Sequence, residues 1–424
     1  MNSKLIPSNT CIQSWSSKAR IRMTTALFMT LAHLNTAQGF EMGVRAEFKP
    51  DSSKPFFNKF ENKTPNSGYC KDYPNECKSS AMFSLRAPIV FNSIAPITAN
   101  HADPRQGASF SLPTQWRDFT VSHSQTLEQE TVRIRIKGFG STYVTPSVID
   151  LVGGGVTDIA AHYLLWGTGW VYAPANCSYS GVGYYGYNFY NFFWKTPVQA
   201  PCQKQARFNI PWMKYSYLDF AYEIETPNPL GMSSGDYVGN FIYTVGPGQD
   251  FDMGDVMIPA DPTLSLNFTL NVQHTLKVDI PPGGGKVELL PTGGWQHWLQ
   301  KGRTPEKLYQ DQTFLISASS RFKMQLACER VIGDACAISN NSNDHAVPVD
   351  VRVSMPNGIG NDDGSAVSRE KLSTATEQVF QSTHYVDQKP SMLHFEIQKQ
   401  YVSEMLSEQG KYSGDITVVW DSDV

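Results

Sequence analysis

Gly410-Lys411-Tyr412-Ser413-Gly414-Asp415-Ile416-Thr417-Val418-Val419-Trp420-Asp421 reads as a turn followed by a strand that runs almost to the last residue. The glycines and serine punctuate the turn. Past it, Ile416, Val418 and Trp420 fall on one side of an extended chain, and Thr417, Val419 and Asp421 fall on the other. Such alternation predicts a strand that buries one face. A sandwich that closes on so apolar a strand is expected to leave the next place in its sheet empty. An unpaired hydrophobic edge invites pairing with another chain, and strand addition by a partner is the physical remedy.

Strand patterning continues upstream. Leu264, Leu266, Phe268 and Leu270 alternate with Ser265, Asn267, Thr269 and Asn271, and 276–280 repeats the pattern before Pro281-Pro282-Gly283-Gly284-Gly285 stops it. Further strands are expected at 313–317, 322–327, 347–354 and 392–397, with one amphipathic helical stretch at 400–409. Pro259-Ala260-Asp261-Pro262 biases the chain to extended geometry and removes backbone donors, which predicts a boundary. Before it, strands are expected at 131–137, 219–225 and 237–245. Short strands at this spacing predict sandwiches. The length of 424 residues exceeds what one ordinary core needs. The expected organisation is therefore 1–39 as an export signal, 40–260 as a first β domain, 261–263 as a linker and 264–424 as a second.

The export signal rests on Lys18, Arg20 and Arg22 ahead of the apolar run 24–32, with Thr36, Ala37 and Gly39 as a small-residue exit. The run is too short to span a bilayer. Of seven cysteines, Cys11 falls in that segment. The other six form local pairs by proximity: Cys70/Cys77, Cys177/Cys202 and Cys328/Cys336. Zinc would want two closely spaced Cys-x2-Cys pairs, which the sequence lacks. Disulfides in an oxidising compartment are the expectation, and the long Cys177–Cys202 loop stabilises most, by about 3 kcal/mol. With 35 Lys+Arg against 39 Asp+Glu and a net charge of -4, the chain lacks the clustered cations that nucleic-acid binding needs. Only 17% of residues are charged, 12% are aromatic, and there are 32 Gly and 26 Pro; that suits strands and turns better than long helices.

Export signal, local disulfides, two β units and the Gly-x-Tyr-x-Gly-x-hydrophobic terminus together resemble the subunits of chaperone–usher fimbriae. More narrowly, Gly235-Asp236-Tyr237-Val238-Gly239, Tyr243-Thr244-Val245-Gly246-Pro247-Gly248, Asp250-Phe251-Asp252-Met253-Gly254-Asp255, 266–270, 272–278 and Gly293-Gly294-Trp295 look like the CfaE/CooD/CblD type of tip adhesin or minor pilin. The likeness covers about 205–424. It implies an all-β chain of two immunoglobulin-like β-sandwich domains in tandem, an adhesin domain followed by an incomplete pilin domain. It also implies a periplasmic chaperone, an outer-membrane usher, and a next pilin subunit whose donor strand replaces the chaperone's. Export through the periplasm to the fimbrial tip, with host glycan or glycoprotein as receptor, is implied too. On that reading Ile416, Val418 and Trp420 form one wall of the donor-strand groove, and Leu266, Phe268 and Leu270 the other.

Inside the Cys177–Cys202 loop lies an aromatic run, 184–194. Tyr185, Tyr187, Tyr190 and Trp194 could meet the apolar face of a sugar while offering a polar rim. Equally, alternating aromatics are ordinary strand content. Lys204 and Arg207 could pair with an acidic sugar, and Arg86, Arg117, Arg133 and Arg135 compete for that role as solvated strand-face charges. Pro282–Lys286 lacks the spacing and the Ser/Thr of a phosphate loop. Asp250, Asp252 and Asp255 lack the closing Glu of a calcium loop and read as a turn anchor between domains. No Gly-x-Ser-x-Gly, His-Glu-x-x-His or Gly-x-Gly-x-x-Gly is present. The chain is thus read as a non-enzyme without cofactor or metal. A structural minor pilin, and more remotely a secreted carbohydrate-active enzyme with paired carboxylates, are the alternatives.

Overall fold

The computed structural model describes residues 39–302 and 304–422; the expected export signal and Cys11 lie outside them, apart from Gly39. The longer elements in chain order are β1 (Phe40–Phe48), β2 (Phe83–Ala87), β3 (Arg117–His123), β4 (Gln129–Val144), helix α1 (Asp158–Trp166), β5 (Gly183–Gly186), β6 (Phe189–Lys195), β7 (Leu218–Glu225), β8 (Gly235–Thr244) and β9 (Thr263–Val272). Then come β10 (Leu276–Asp279), β11 (Lys307–Ala318), β12 (Phe322–Cys328), β13 (Ala335–Asn340), β14 (Ala346–Ser354), β15 (Gln378–Ser382), β16 (Val386–Gln398), α2 (Lys399–Glu408) and β17 (Ile416–Ser422). The chain is all-β with minor helices. Each strand expected upstream of the boundary lies within β4, β7 or β8 and its adjoining turn. Those expected downstream lie within β11, β12, β14 and β16, and the helical stretch is α2.

β4 organises the first sandwich. Its early residues pair with β3, its middle with β7 and its late residues with β6. Val132, Ile134 and Ile136 point into the core while Arg133, Arg135 and Lys137 hold Glu223 and Glu225 on the outer face. At Gly140 a Cβ would sit 2.4 Å from the Phe192 carbonyl oxygen, so only glycine lets β6 come this close. The inner space is filled by rings: Phe110, Phe139, Tyr143, Trp170, Phe192, Trp194 and Tyr215 are buried in mutual contact.

The expected boundary moves. Pro259 pairs with Phe91 within the first sheet, and the Pro262 carbonyl accepts the Val245 N–H at 2.7 Å. β9 then runs antiparallel to β8 and parallel to β1, so both its edges are filled. Leu264, Leu266, Phe268, Leu270 and Val272 are buried in the first core. The prolines end a crossing within one domain, because ten more residues of alternating chain still find a two-sided place in its sheet. The chain passes to the second core at 273–275. There the His274 imidazole joins the Met232 carbonyl at 2.9 Å to the Ser319 hydroxyl at 3.2 Å. Burial lowers its pKa, so the ring is neutral: Nε2–H donates to the carbonyl and Nδ1 accepts from the hydroxyl.

In the second sandwich, one sheet runs β10-β11-β16-β14-β13 and the facing sheet runs β15-β12-β17. Leu308, Phe314, Ile316, Phe322, Met324, Val351, Phe380, Phe395 and Ile397 meet between them. All three cysteine pairs are joined: Cys70–Cys77, Cys177–Cys202 and Cys328–Cys336.

Candidate functional site: an open sheet edge and an exposed tyrosine face

β17 is hydrogen-bonded along its whole length to β12, from Ile416 opposite Cys328 to Ser422 opposite Phe322. On its other side no strand of the described residues pairs with it. Ile416, Val418 and Trp420 are half-buried and pack against the second core, whereas Thr417 and Asp421 are exposed. The groove wall expected at 416, 418 and 420 is thus a row of apolar side chains on an open edge. The opposite wall is not Leu266, Phe268 and Leu270, which are enclosed in the other core because β9 belongs to the first sheet.

What faces β17 instead is β11. Trp420 meets Phe314 edge-on at 5.6 Å, which places the two strands on one side of the sandwich. β11 is paired by β10 at 315–318 and bridged by Leu290 at Tyr309, leaving its edge open over 310–314 among the described residues. On the core-facing side of that stretch stand Gln310 and Gln312, whose amides reach only the carbonyl of the next residue. The Trp420 Nε1–H is buried without a partner among the described residues. A buried unmade hydrogen bond costs about 1–3 kcal/mol, so an acceptor brought to this edge would be stabilising.

The aromatic run of the first sandwich divides. Tyr190 and Trp194 are 2% and 0% exposed, so they are core, not receptor contacts. β6 alternates them, with Phe192, into the ring cluster. Lys204 is 6% exposed and turned inward, donating to the Thr168 hydroxyl at 2.6 Å and the Gly169 carbonyl at 3.3 Å. It cannot reach an acidic sugar. Tyr185 and Tyr187 are exposed, as is Tyr184 at the head of the same run, and so are Tyr163, Tyr172 and Tyr179, which lie outside it. Arg207 is exposed, with its guanidinium against Gly167 at the end of α1. The competing arginines are all engaged: Arg86 with Asp219, Arg117 with Asp250, Arg133 with Asp118 and Glu225, and Arg135 with Glu223.

Asp250, Asp252 and Asp255 anchor arginines within the first sandwich rather than between domains. Arg105 reaches Asp252 at 2.8 Å and Asp255 at 2.6 Å, while Asp252 also accepts the Gly248 and Gly254 N–H groups. Arg105 carries no motif, so only the fold reveals it.

Burial pushes the Lys204 ammonium down to about 8. An unfolded lysine titrates near 10.4, so the native state holds fewer protons between these values and stability rises with pH across them. The charged form costs about 3 kcal/mol at neutral pH. Lys204→Met is therefore expected to raise the melting temperature at pH 7 and to remove the alkaline rise between about pH 8 and 10. Calorimetry showing a lower melting point at pH 7 with the rise intact would contradict this.

A polar line crosses the outer face of the second sandwich. Asp311 on β11 meets His394 Nδ1 at 2.7 Å, and His394 Nε2 meets the Ser354 hydroxyl at 2.9 Å. The order resembles a nucleophile relay. The imidazole, however, is almost fully covered, Arg369 Nη1 also crowds Nδ1, and the Arg369 N–H donates to the Ser354 oxygen. These bonds tie β11, β16 and β14 together across the sheet.

No protein-family model matches the chain, and neither does any curated protein. Among solved structures it is similar to a chain of the chaperone–tip adhesin complex of CFA/I fimbriae biogenesis, at 9% identity and a TM-score of 0.26, covering 91% of this chain and 97% of that one. CfaE, the adhesive subunit of CFA/I fimbria of enterotoxigenic Escherichia coli, gives 8%, 0.25, 90% and 92%. The CupB6 tip adhesin from Pseudomonas aeruginosa gives 12%, 0.27, 78% and 95%. Overlaps this shallow carry no argument; the open edge and the exposed rings of this chain do.

Proposed function

We propose that the chain is a tip adhesin of a chaperone–usher fimbria. Its second sandwich would accept a strand from a periplasmic chaperone, then one from the next pilin subunit at the outer-membrane usher. Its first sandwich would bind a host-cell glycan. The open edge of β17, with its alternating half-buried side chains, carries this reading: it offers main-chain groups for pairing and an apolar row for selecting the partner. The first sandwich supports the adhesive part, since a subunit that only links neighbours has no use for a second, larger domain.

Co-production with a fimbrial chaperone tests the assembly claim. The chain is expected to be recovered as a one-to-one complex and to leave it when a donor-strand peptide is added. Recovery only as free, stable monomer would refute strand acceptance. Binding of the complemented chain to epithelial cells tests the adhesive claim, and absence of binding would reduce the protein to a structural minor pilin.

A further inference from the structure

We infer that the receptor face of this chain is a tyrosine platform made by Tyr163, Tyr172, Tyr179 and Tyr185, and that it takes an uncharged saccharide. This rests on the adhesive reading above and adds the ligand's chemical class.

From Ile159 to Trp194 the chain carries no Asp, Glu, Lys or Arg. Within that stretch α1, the following loop and β5 bring four exposed tyrosines to one side. Tyr172 and Tyr179, 53% and 59% exposed, lie nearly parallel at 6.3 Å. Tyr163 lies over Gly169, where a Cβ would meet its ring at 3.1 Å, and partial burial together with the nearby Tyr172 phenol raises its pKa. On β5, Tyr185 pairs with Tyr190 and so faces this side, next to His162 at 6.1 Å; Tyr184 pairs with Asn191 and faces away. Exposed rings with hydroxyl edges match a pyranose, which has an apolar C–H face and a polar rim.

The platform is fixed from beneath. His162 is buried, and its two nitrogens join the Tyr143 hydroxyl to the Gly186 carbonyl, tying α1 to the β5 hairpin. The Cys177–Cys202 bond closes the loop that carries Tyr179 and Tyr185. Rings already held in place lose little side-chain entropy on binding, which raises affinity for a small ligand.

Charge decides the class. Lys204 is turned inward and gives its protons to Thr168 and Gly169, so the exposed Thr168 hydroxyl, as acceptor to Lys204, has its own hydrogen free for the solvent side. Arg207 sits against Gly167, the left-handed residue that caps α1, where its charge meets the negative end of the helix. Among the described residues no Asp, Glu, Lys or Arg pairs or stacks with the four rings, whereas a carboxylate ligand would need one.

The test uses the full chain, complemented with a donor-strand peptide, against immobilised neutral hexose- and N-acetylhexosamine-terminated oligosaccharides and the same set capped with a carboxylate sugar. Neutral glycans are expected to bind at least as well as capped ones. Tyr172→Ala is expected to weaken binding about tenfold, as loss of one stacked ring implies, while Tyr172→Phe stays within about threefold and Arg207→Gln changes nothing. Both tyrosine variants should melt with the parent, since the ring is exposed. Stronger binding of the capped set, abolished by Arg207→Gln, would overturn the inference in favour of an acidic ligand. Binding to epithelial cells with no binding to either set would also overturn it while leaving the adhesive reading intact. Binding to neither cells nor glycans would remove both.

Discussion

A synthetic peptide of alternating apolar residues, added to the purified chain, is expected to raise the melting temperature of the second sandwich by on the order of 10 °C. The size comes from linkage: a ligand at about a thousand times its dissociation constant stabilises the native state by about 4 kcal/mol, and a domain of this size gains about 2–4 °C per kcal/mol. The peptide would cover the half-exposed Ile416, Val418 and Trp420 and pair with the open edge of β17. A peptide with an Asn or Ser opposite Trp420 is expected to do better than one with Val there, because the Trp420 Nε1–H lacks an acceptor among the described residues. Val418→Asp should abolish the shift, since the added strand would trap an unpaired carboxylate. The free variant should lose less, its side chain being only half-covered before the strand arrives. Scanning calorimetry with and without peptide reads all three. A parent chain that melts unchanged in the presence of peptide, at concentrations where the peptide is soluble, would rule out strand acceptance.

Trp194→Ala is expected to cost about 3–5 kcal/mol, the usual penalty for emptying a large aromatic site. Trp194 is fully buried, stacks on Trp170 at 5.2 Å and gives its Nε1–H to the Trp170 carbonyl at 2.8 Å. Truncation leaves that carbonyl without its donor and opens a void among Phe110, Phe139 and Phe192. Denaturant titration of the first sandwich measures the loss. The glycan binding proposed above should be little changed in the fraction that stays folded, which separates Trp194 from the exposed Tyr172. A variant that folds with native stability and yet fails to bind would return Trp194 to the receptor surface.

Strand alternation makes most of the fold readable. The 131–137 and 416–420 stretches switch side chain by side chain between core and solvent, and a two-residue period has one physical cause. The domain boundary falls elsewhere than expected because β9 has the same alternation whichever sheet it joins. Only pairing with β8 and β1 tells which, and long-range pairing leaves no local mark. Tyr190 and Trp194 mislead for a related reason: a ring-rich strand reads the same whether its rings face a core or a ligand. Tyr163 and Tyr172 carry no sequence signal because α1 and the loop after it bring them beside β5 from more than ten positions upstream in the chain. Asp158–Trp166 is apolar nearly all round, which hides its helical period.

β9 has a mechanical consequence. It is the last strand of the first sandwich and leads, through 273–275, straight into the second, while both its flanks are hydrogen-bonded, to β1 in parallel and to β8 antiparallel. A pull on the second sandwich therefore runs along the axis of β9, and the bonds on its two sides lie across that pull and share the load. A strand peeled from a free edge would instead lose its bonds one after another. Since resistance to forced unfolding is set by the unfolding rate rather than by equilibrium stability, the join is a tension clamp: load passed along β9 leaves the first sandwich closed.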